Sequence, residues 1–181
     1  MRPVVLIGFM GTGKTTVGRH LAARLGGRFV DLDDVITQRE GRPISEIFRS
    51  DGEAVFRRLE QEALQDVLGQ EDLVIATGGG AACREPNLSW MLERGHVVAL
   101  WASPAEVVRR TGAHSGRPLL DGAANPVAAA AALLTAREPF YRRAHLRIET
   151  EGQHPDQIAE KIATEIAARI ASAPGKETEQ S

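Results

Sequence analysis

The chain has 181 residues, 43% hydrophobic and 25% charged, with 22 Lys+Arg against 24 Asp+Glu and a formal net charge of −2. That length suits one well-buried core and is short for two, and so balanced a charge gives no basic field to gather nucleic acid or an anionic membrane. Cys83, the single cysteine, excludes an intramolecular disulfide and a thiolate-rich zinc cluster; no uncharged segment approaches the ~20 apolar residues of a membrane span, and a cytoplasmic location is expected.

Val4-Val5-Leu6-Ile7 is a short apolar run of the kind that forms a strand buried on both faces. It ends at once in a glycine-rich loop and Lys14, with no cleavage-site pattern behind it, and so does not read as a secretory signal. Gly8-Phe9-Met10-Gly11-Thr12-Gly13-Lys14-Thr15 matches G-x-x-x-x-G-K-[ST] at every fixed position. From Thr16 onward, Val17, Leu21, Ala22 and Leu25 fall at helical spacing, so the loop lies between a strand and a helix, the context this motif requires. The glycines let successive N–H groups converge, and the helix N-terminus adds unpaired N–H groups and partial positive charge, which together seat a polyphosphate. Lys14 would reach the β- and γ-phosphates and the Thr15 hydroxyl would ligate a bridging Mg²⁺; Gly11, Thr12, Gly13 and Thr16 complete the expected nucleotide seat.

Apolar runs then alternate with helical patterns, the signature of an α/β fold with a parallel sheet covered by helices on both faces. Arg28 to Leu32 reads as a second strand running into Asp31-Leu32-Asp33-Asp34, and Gly41-Arg42-Pro43 breaks the helix that follows. Ser45 to Phe48 forms a short helix stopped at Asp51-Gly52, and Glu53 to Leu68 an amphipathic one on the stripe Phe56, Leu59, Ala63, Leu64 and Val67. Leu73 to Ala76 is a third strand that enters Thr77-Gly78-Gly79-Gly80, where three glycines at the carboxyl end of a strand suggest a ligand against bare backbone. A helix from about Pro86 to Glu93 leads to a fourth strand, His96 to Trp101, and Ser103-Pro104-Ala105-Glu106 opens the next helix with a capping box. Thr111 to Asn125 is too long and polar for a plain connection and is expected to be a mobile lid. Pro126 to about Arg143 is helical by propensity, with Pro139 expected to end or kink it. Leu146 to Glu149 is a fifth strand, and Ile158, Ile162, Ile166 and Ile170 mark the packing stripe of a last helix. One domain over residues 1–171 results, with a polar, patternless tail from Ser172 expected to be disordered.

Asp31 and Asp33, two apart at a strand end, should point the same way, toward the phosphate loop. One carboxylate would hold the metal's water shell while the other accepts a proton or hydrogen bond from an attacking hydroxyl. A solvated-turn or helix-cap role fits Asp34 better than Asp31. Thr77 stands where an acid would supply a second metal carboxylate, which makes Asp31 the natural substitute. Arg57, Arg58, Arg109, Arg110, Arg117, Arg137, Arg142 and Arg143 recur on segments that could face the cleft; forks of this kind grip carboxylates and phosphates, so an anionic substrate beside the nucleotide is implied. Cys83 reads as a small apolar residue after the glycine turn.

The chain from Val4 to about Glu165 resembles the shikimate kinases. The resemblance is carried by the loop Gly8 to Arg19, Asp31-Leu32-Asp33, Gly52-Glu53 with Phe56-Arg57, Thr77 to Gly80, Arg117-Pro118-Leu119-Leu120, and Arg137 with Tyr141. It implies a P-loop NTPase fold with a five-stranded parallel sheet, and transfer of the γ-phosphate of ATP to the 3-hydroxyl of shikimate on the route to chorismate and the aromatic amino acids. By position it implies that Asp33 binds the ring hydroxyls and orients or deprotonates the nucleophile, with Arg57 and Arg137 on the carboxylate. The glycine turn (Gly78, Gly79, Gly80) would supply backbone contacts and Phe56 would pack alongside. Arg117 would swing in with the lid, Arg110 would lie beside the adenine, and Gln153 falls where the family closes over the base. ATP and Mg²⁺ as cofactors, shikimate as the small-molecule partner and a monomeric state are the corresponding expectations. A gluconate or nucleoside monophosphate kinase would share the loop but not the full set, a GTPase would carry Asn-Lys-x-Asp, and a silent nucleotide-binding module should have lost Lys14, Asp33 or Arg117.

Overall fold

The structure, a computed structural model, describes residues 1–112 and 124–172. Five strands, β1 (Val4–Gly8), β2 (Arg28–Asp31), β3 (Leu73–Ala76), β4 (His96–Trp101) and β5 (Leu146–Glu149), form one parallel sheet in the order β2-β3-β1-β4-β5. β1 is central: Leu6 stands opposite Ala76 on one side and Val98 on the other. The chain moves to one side of β1 for β2 and β3 and to the other for β4 and β5, and such a reversal opens a crevice above the carboxyl ends of the strands.

Alternation along β1 divides the core into two layers. Val4 and Leu6 pack with Val17 and Leu21 of helix α1 (Lys14–Leu25) and with Ile158, Ile162 and Ile166 of the last helix. Val5 and Ile7 face the opposite layer, with Leu32 and Ile36 of α2 (Leu32–Glu40), Ile47 of α3 (Ile44–Ser50) and Leu64 of α4 (Gly52–Leu68). Met91 of α5 (Glu85–Arg94), Val107 of α6 (Pro104–Thr111) and Leu134 of α7 (Pro126–Tyr141) complete that layer. At 0–3% exposure these residues bury nearly their whole apolar surface, about 1.5–3 kcal/mol for each large side chain before the entropy of ordering it.

Several local expectations are corrected. β2 ends at Asp31, and Leu32 already belongs to α2, because the Asp31 carboxylate caps that helix by accepting from the Asp33 N–H at 3.1 Å. The capping box at α6 is half made: the Ser103 hydroxyl accepts from the Glu106 N–H, but the Glu106 carboxylate turns to Arg109 and Arg110, and the Ser103 N–H donates to Glu151. α7 passes through Pro139 to Tyr141, so the proline sits in the last turn and the helix ends two residues later. The last helix, α8 (Pro155–Ser172), buries Ile158, Ile162 and Ile166 but leaves Ile170 47% exposed, beyond the edge of the sheet layer. A single 3₁₀ turn, Ala81–Cys83, follows the glycine turn without a propensity signal. Of the expected lid and tail, Thr111 closes α6, Asn125 caps α7 through the Ala128 N–H and Ser172 closes α8; residues 113–123 and 173–181 lie outside the described residues.

Candidate active site

The phosphate loop leaves β1 through Gly8, whose φ of +138° and close approach to the Leu100 carbonyl exclude a side chain: a Cβ there would lie 2.3 Å from that oxygen. Gly11 and Gly13 also have positive φ, and the Thr12 hydroxyl is buried in a bond to the Phe9 carbonyl at 2.8 Å, so its side chain stitches the loop and leaves only its backbone for a ligand. Gly13 caps α1 without a side chain and no acid occupies its first turn, so no residue of the helix itself offsets its positive end, which faces the loop. Lys14 lies back over the loop, its Nζ donating to the Gly8 and Phe9 carbonyls at 2.9 and 2.8 Å.

Thr15 Oγ1 donates to Asp31 Oδ2 at 2.9 Å, which ties the start of α1 to the end of β2. The helix-cap role assigned above to Asp34 belongs to Asp31, whose two oxygens serve the cap and Thr15 separately. Among the described residues no group of three or more His, Cys, Asp or Glu side chains could hold a metal. One hydroxyl and one carboxylate nevertheless suit Mg²⁺, which keeps several waters and takes other ligands from phosphate oxygens.

Asp33 reaches the cleft from the first turn of α2, not from the strand end that would have aligned it with Asp31. Burial chiefly, and then the neighbouring Asp31 charge, push its carboxyl above the usual range, against the pull of Lys14 and Arg57. Its Oδ1 is buried with no hydrogen-bond partner among the described residues and lies 3.2 Å from where a Gly78 Cβ would be. A Cβ on Gly80 would meet Arg57 Nη2 at 3.2 Å, and one on Gly79 would meet Arg137 Nη1 at 3.5 Å. One acid and two arginines, from α2, α4 and α7, thus stand around three consecutive glycines.

Each arginine is held. Arg57 Nη1 donates to both oxygens of Glu60, its Nε donates to Glu53, and its guanidinium lies over the Phe56 ring. Arg137 donates to the Gly79 carbonyl at 3.0 Å and stacks on Phe9. Arg110 bridges three elements, with bonds to Glu106, to the Gly11 carbonyl at 3.2 Å, and to the hydroxyl and carbonyl of Thr150 at 2.9 and 2.8 Å. Arg58, Arg109, Arg142 and Arg143 instead form helix-surface pairs with Glu62, Glu106, Glu138 and Glu85.

A cleft of about 500 Å³ joins these parts, lined by Gly11, Gly13, Lys14, Thr15, Thr16, Asp31, Asp33, Thr77, Gly78, Gly79 and Arg110. Gly80, Phe56, Arg57 and Arg137 are not among its lining residues; they stand beside it, around the glycine turn whose Gly78 and Gly79 do line it. Gln153 does not line the cleft; its amide donates to the Glu149 carbonyl and accepts from Lys161. Arg117 lies outside the described residues.

Glu60 was not singled out from the sequence. It is 1% exposed, burial pushes its carboxyl upward, and Arg57 opposes that shift. The signal was present: Glu60 falls on the apolar stripe of α4, four residues after Phe56 and three before Ala63, where a carboxylate needs a cation.

The family model for shikimate kinase matches residues 10–167. A shikimate kinase of Geobacter sulfurreducens is 48% identical over 163 residues, 90% of each chain, and one of Thermus thermophilus is 43% identical over 164 residues, 90% of this chain and 89% of that one. The solved shikimate kinase of Acinetobacter baumannii in complex with shikimate superposes with a TM-score of 0.87 at 40% identity, over 93% of this chain and 94% of that one. With identity of this order spread over nearly the whole chain, and the phosphate loop and glycine turn meeting in one cleft, the chain belongs to the shikimate kinase family.

Proposed function

We infer that the chain transfers the γ-phosphoryl group of ATP to the 3-hydroxyl of shikimate, giving shikimate 3-phosphate and ADP in aromatic amino acid biosynthesis. The observation that carries the placement of the two substrates is the division of the cleft: polyphosphate chemistry at Lys14 and Thr15, and an acid with two arginine forks around Gly78 to Gly80. Arg57 and Arg137 bind the substrate carboxylate, which sets the ring so that a hydroxyl meets Asp33 Oδ1, the buried acceptor without an internal partner. As the new O–P bond forms and the bond from phosphorus to the bridging oxygen of ADP breaks, Asp33 takes the hydroxyl proton and Lys14 and the loop amides hold the charge of the departing diphosphate. Thr15 and, through water, Asp31 would hold Mg²⁺, which neutralises charge shared by the β- and γ-phosphates. Arg110 seats the nucleotide from the α6 side, and Arg117 neutralises the transferring group.

ATP as donor supports a cytoplasmic location, and the chain is taken to act as a monomer. No helix among the described residues is long and apolar enough to cross a membrane. A coupled ADP-release assay with shikimate, quinate, gluconate and nucleoside monophosphates tests the acceptor: turnover should require shikimate, and equal or faster turnover with gluconate would overturn the assignment.

A further inference from the structure

The carbonyl oxygen of Gly79 accepts two hydrogen bonds from α7, one from Tyr141 Oη at 2.7 Å and one from Arg137 Nη1 at 3.0 Å. Tyr141 is 2% exposed, so this hydroxyl is the polar tip of an otherwise buried ring; the Cys83 thiol adjoins it, and burial pushes the phenol upward, leaving it a donor at any working pH. The peptide that joins Gly79 to Gly80 is planar and trans. Its carbonyl and its N–H therefore point in opposite directions, and holding the Gly79 oxygen toward Tyr141 aims the Gly80 N–H away from that hydroxyl; Arg57 Nη2 is close to the same residue, 3.2 Å from the place of a Gly80 Cβ. That N–H meets no acceptor among the described residues. A glycine pair has no side chains to hold its peptide plane, so beyond the turn bond from the Ala81 N–H to the Gly78 carbonyl at 3.1 Å the plane depends on these two bonds.

We propose that Tyr141 is a positioning residue for the acid substrate: acting through the Gly79 carbonyl, it orients the Gly80 N–H and, by sharing that acceptor, the Arg137 fork. The proposal rests on the reading of the glycine turn as the shikimate seat. The ring packs in the core and the hydroxyl makes the hydrogen bond to the turn, so removing the hydroxyl alone separates positioning from packing.

Tyr141→Phe in the full chain removes the hydroxyl and keeps the ring. The expected result is a rise in KM for shikimate of roughly five- to fiftyfold, the factor attached to an underserved buried acceptor, with KM for ATP and kcat within about twofold. In the parent, adding shikimate should slow exchange of the Gly80 amide, a measurement that stands even if the variant folds poorly. An unchanged KM for shikimate in Tyr141→Phe, an equal rise in both KM values, or a Gly80 amide indifferent to shikimate overturns the proposal. Arg57→Ala, run beside it, separates the two failures: if Arg57→Ala raises KM for shikimate and Tyr141→Phe does not, Tyr141 has no positioning role, and if neither does, the seat itself is wrongly placed.

Discussion

Arg57 directs Nη1 to both carboxylate oxygens of Glu60, at 3.2 and 3.0 Å, one turn along α4, while the other face of its guanidinium approaches Gly80. The carboxylate is almost fully buried, so the pair holds the fork rigidly, while Nη2, which also pairs with the exposed Glu53, lies beside the glycine turn. Glu60→Gln should raise KM for shikimate roughly tenfold with little effect on KM for ATP, and should cost about 1–3 kcal/mol of stability. Steady-state kinetics and denaturant unfolding check both; an unchanged KM for shikimate would show that Arg57 holds its position without Glu60.

In the proposed function the proton step falls to Asp33. Asp33→Asn keeps the shape but takes no proton, so kcat should fall on the order of 10²–10⁴-fold while KM for ATP stays within about threefold. Activity equal to the parent would remove the assigned role.

Arg110 ties the phosphate loop at Gly11 to Thr150 and to Glu106 through one guanidinium. In Arg110→Ala, KM for ATP should rise about tenfold with KM for shikimate nearly unchanged, because the loop and the 150 turn lose their common tether. Nucleotide titration in the absence of acceptor gives the direct readout; ATP binding at parental affinity would contradict it.

His145 Nδ1 accepts the Val97 N–H at 3.0 Å, beside the amino end of β4, which requires that nitrogen to be unprotonated. Burial first, then the charges of Arg169 and Arg2, lower its pKa below the ordinary histidine value. The folded state therefore binds this proton less readily than the unfolded state, and the stabilisation is present above the unfolded pKa of ~6.5 and lost as pH falls through the lower folded value. Between pH 7 and pH 5 the parent should lose more Tm than His145→Asn, as calorimetry at matched ionic strength would record. Equal losses would assign the acid sensitivity elsewhere.

Much of the site was legible because it is contiguous. Gly8 to Thr15 is a complete local instruction, and Thr77 to Gly80 announces bare backbone wherever it is placed. The Asp31 and Asp33 pair was found for an imperfect reason: the two acids do meet at the cleft, but a helix begins between them, and Asp31 serves as its cap. Glu60 went unnoticed because a charged residue on an apolar stripe looks like a pattern error until its cation is seen.

The five strands and the order of their helices were set by runs and periods a few residues long, which depend on near neighbours and can be read directly from the chain. Which arginines serve the cleft could not be read that way. Arg57, Arg110 and Arg137 differ from Arg58, Arg109 and Arg142 only in what folding brings opposite them, as when Arg110 meets Gly11 across 99 residues and Tyr141 meets Gly79 across 62. Those meetings exist only once the parallel sheet has stacked its carboxyl ends along one edge, because a hydrogen bond is set by distance in space and not by spacing along the chain.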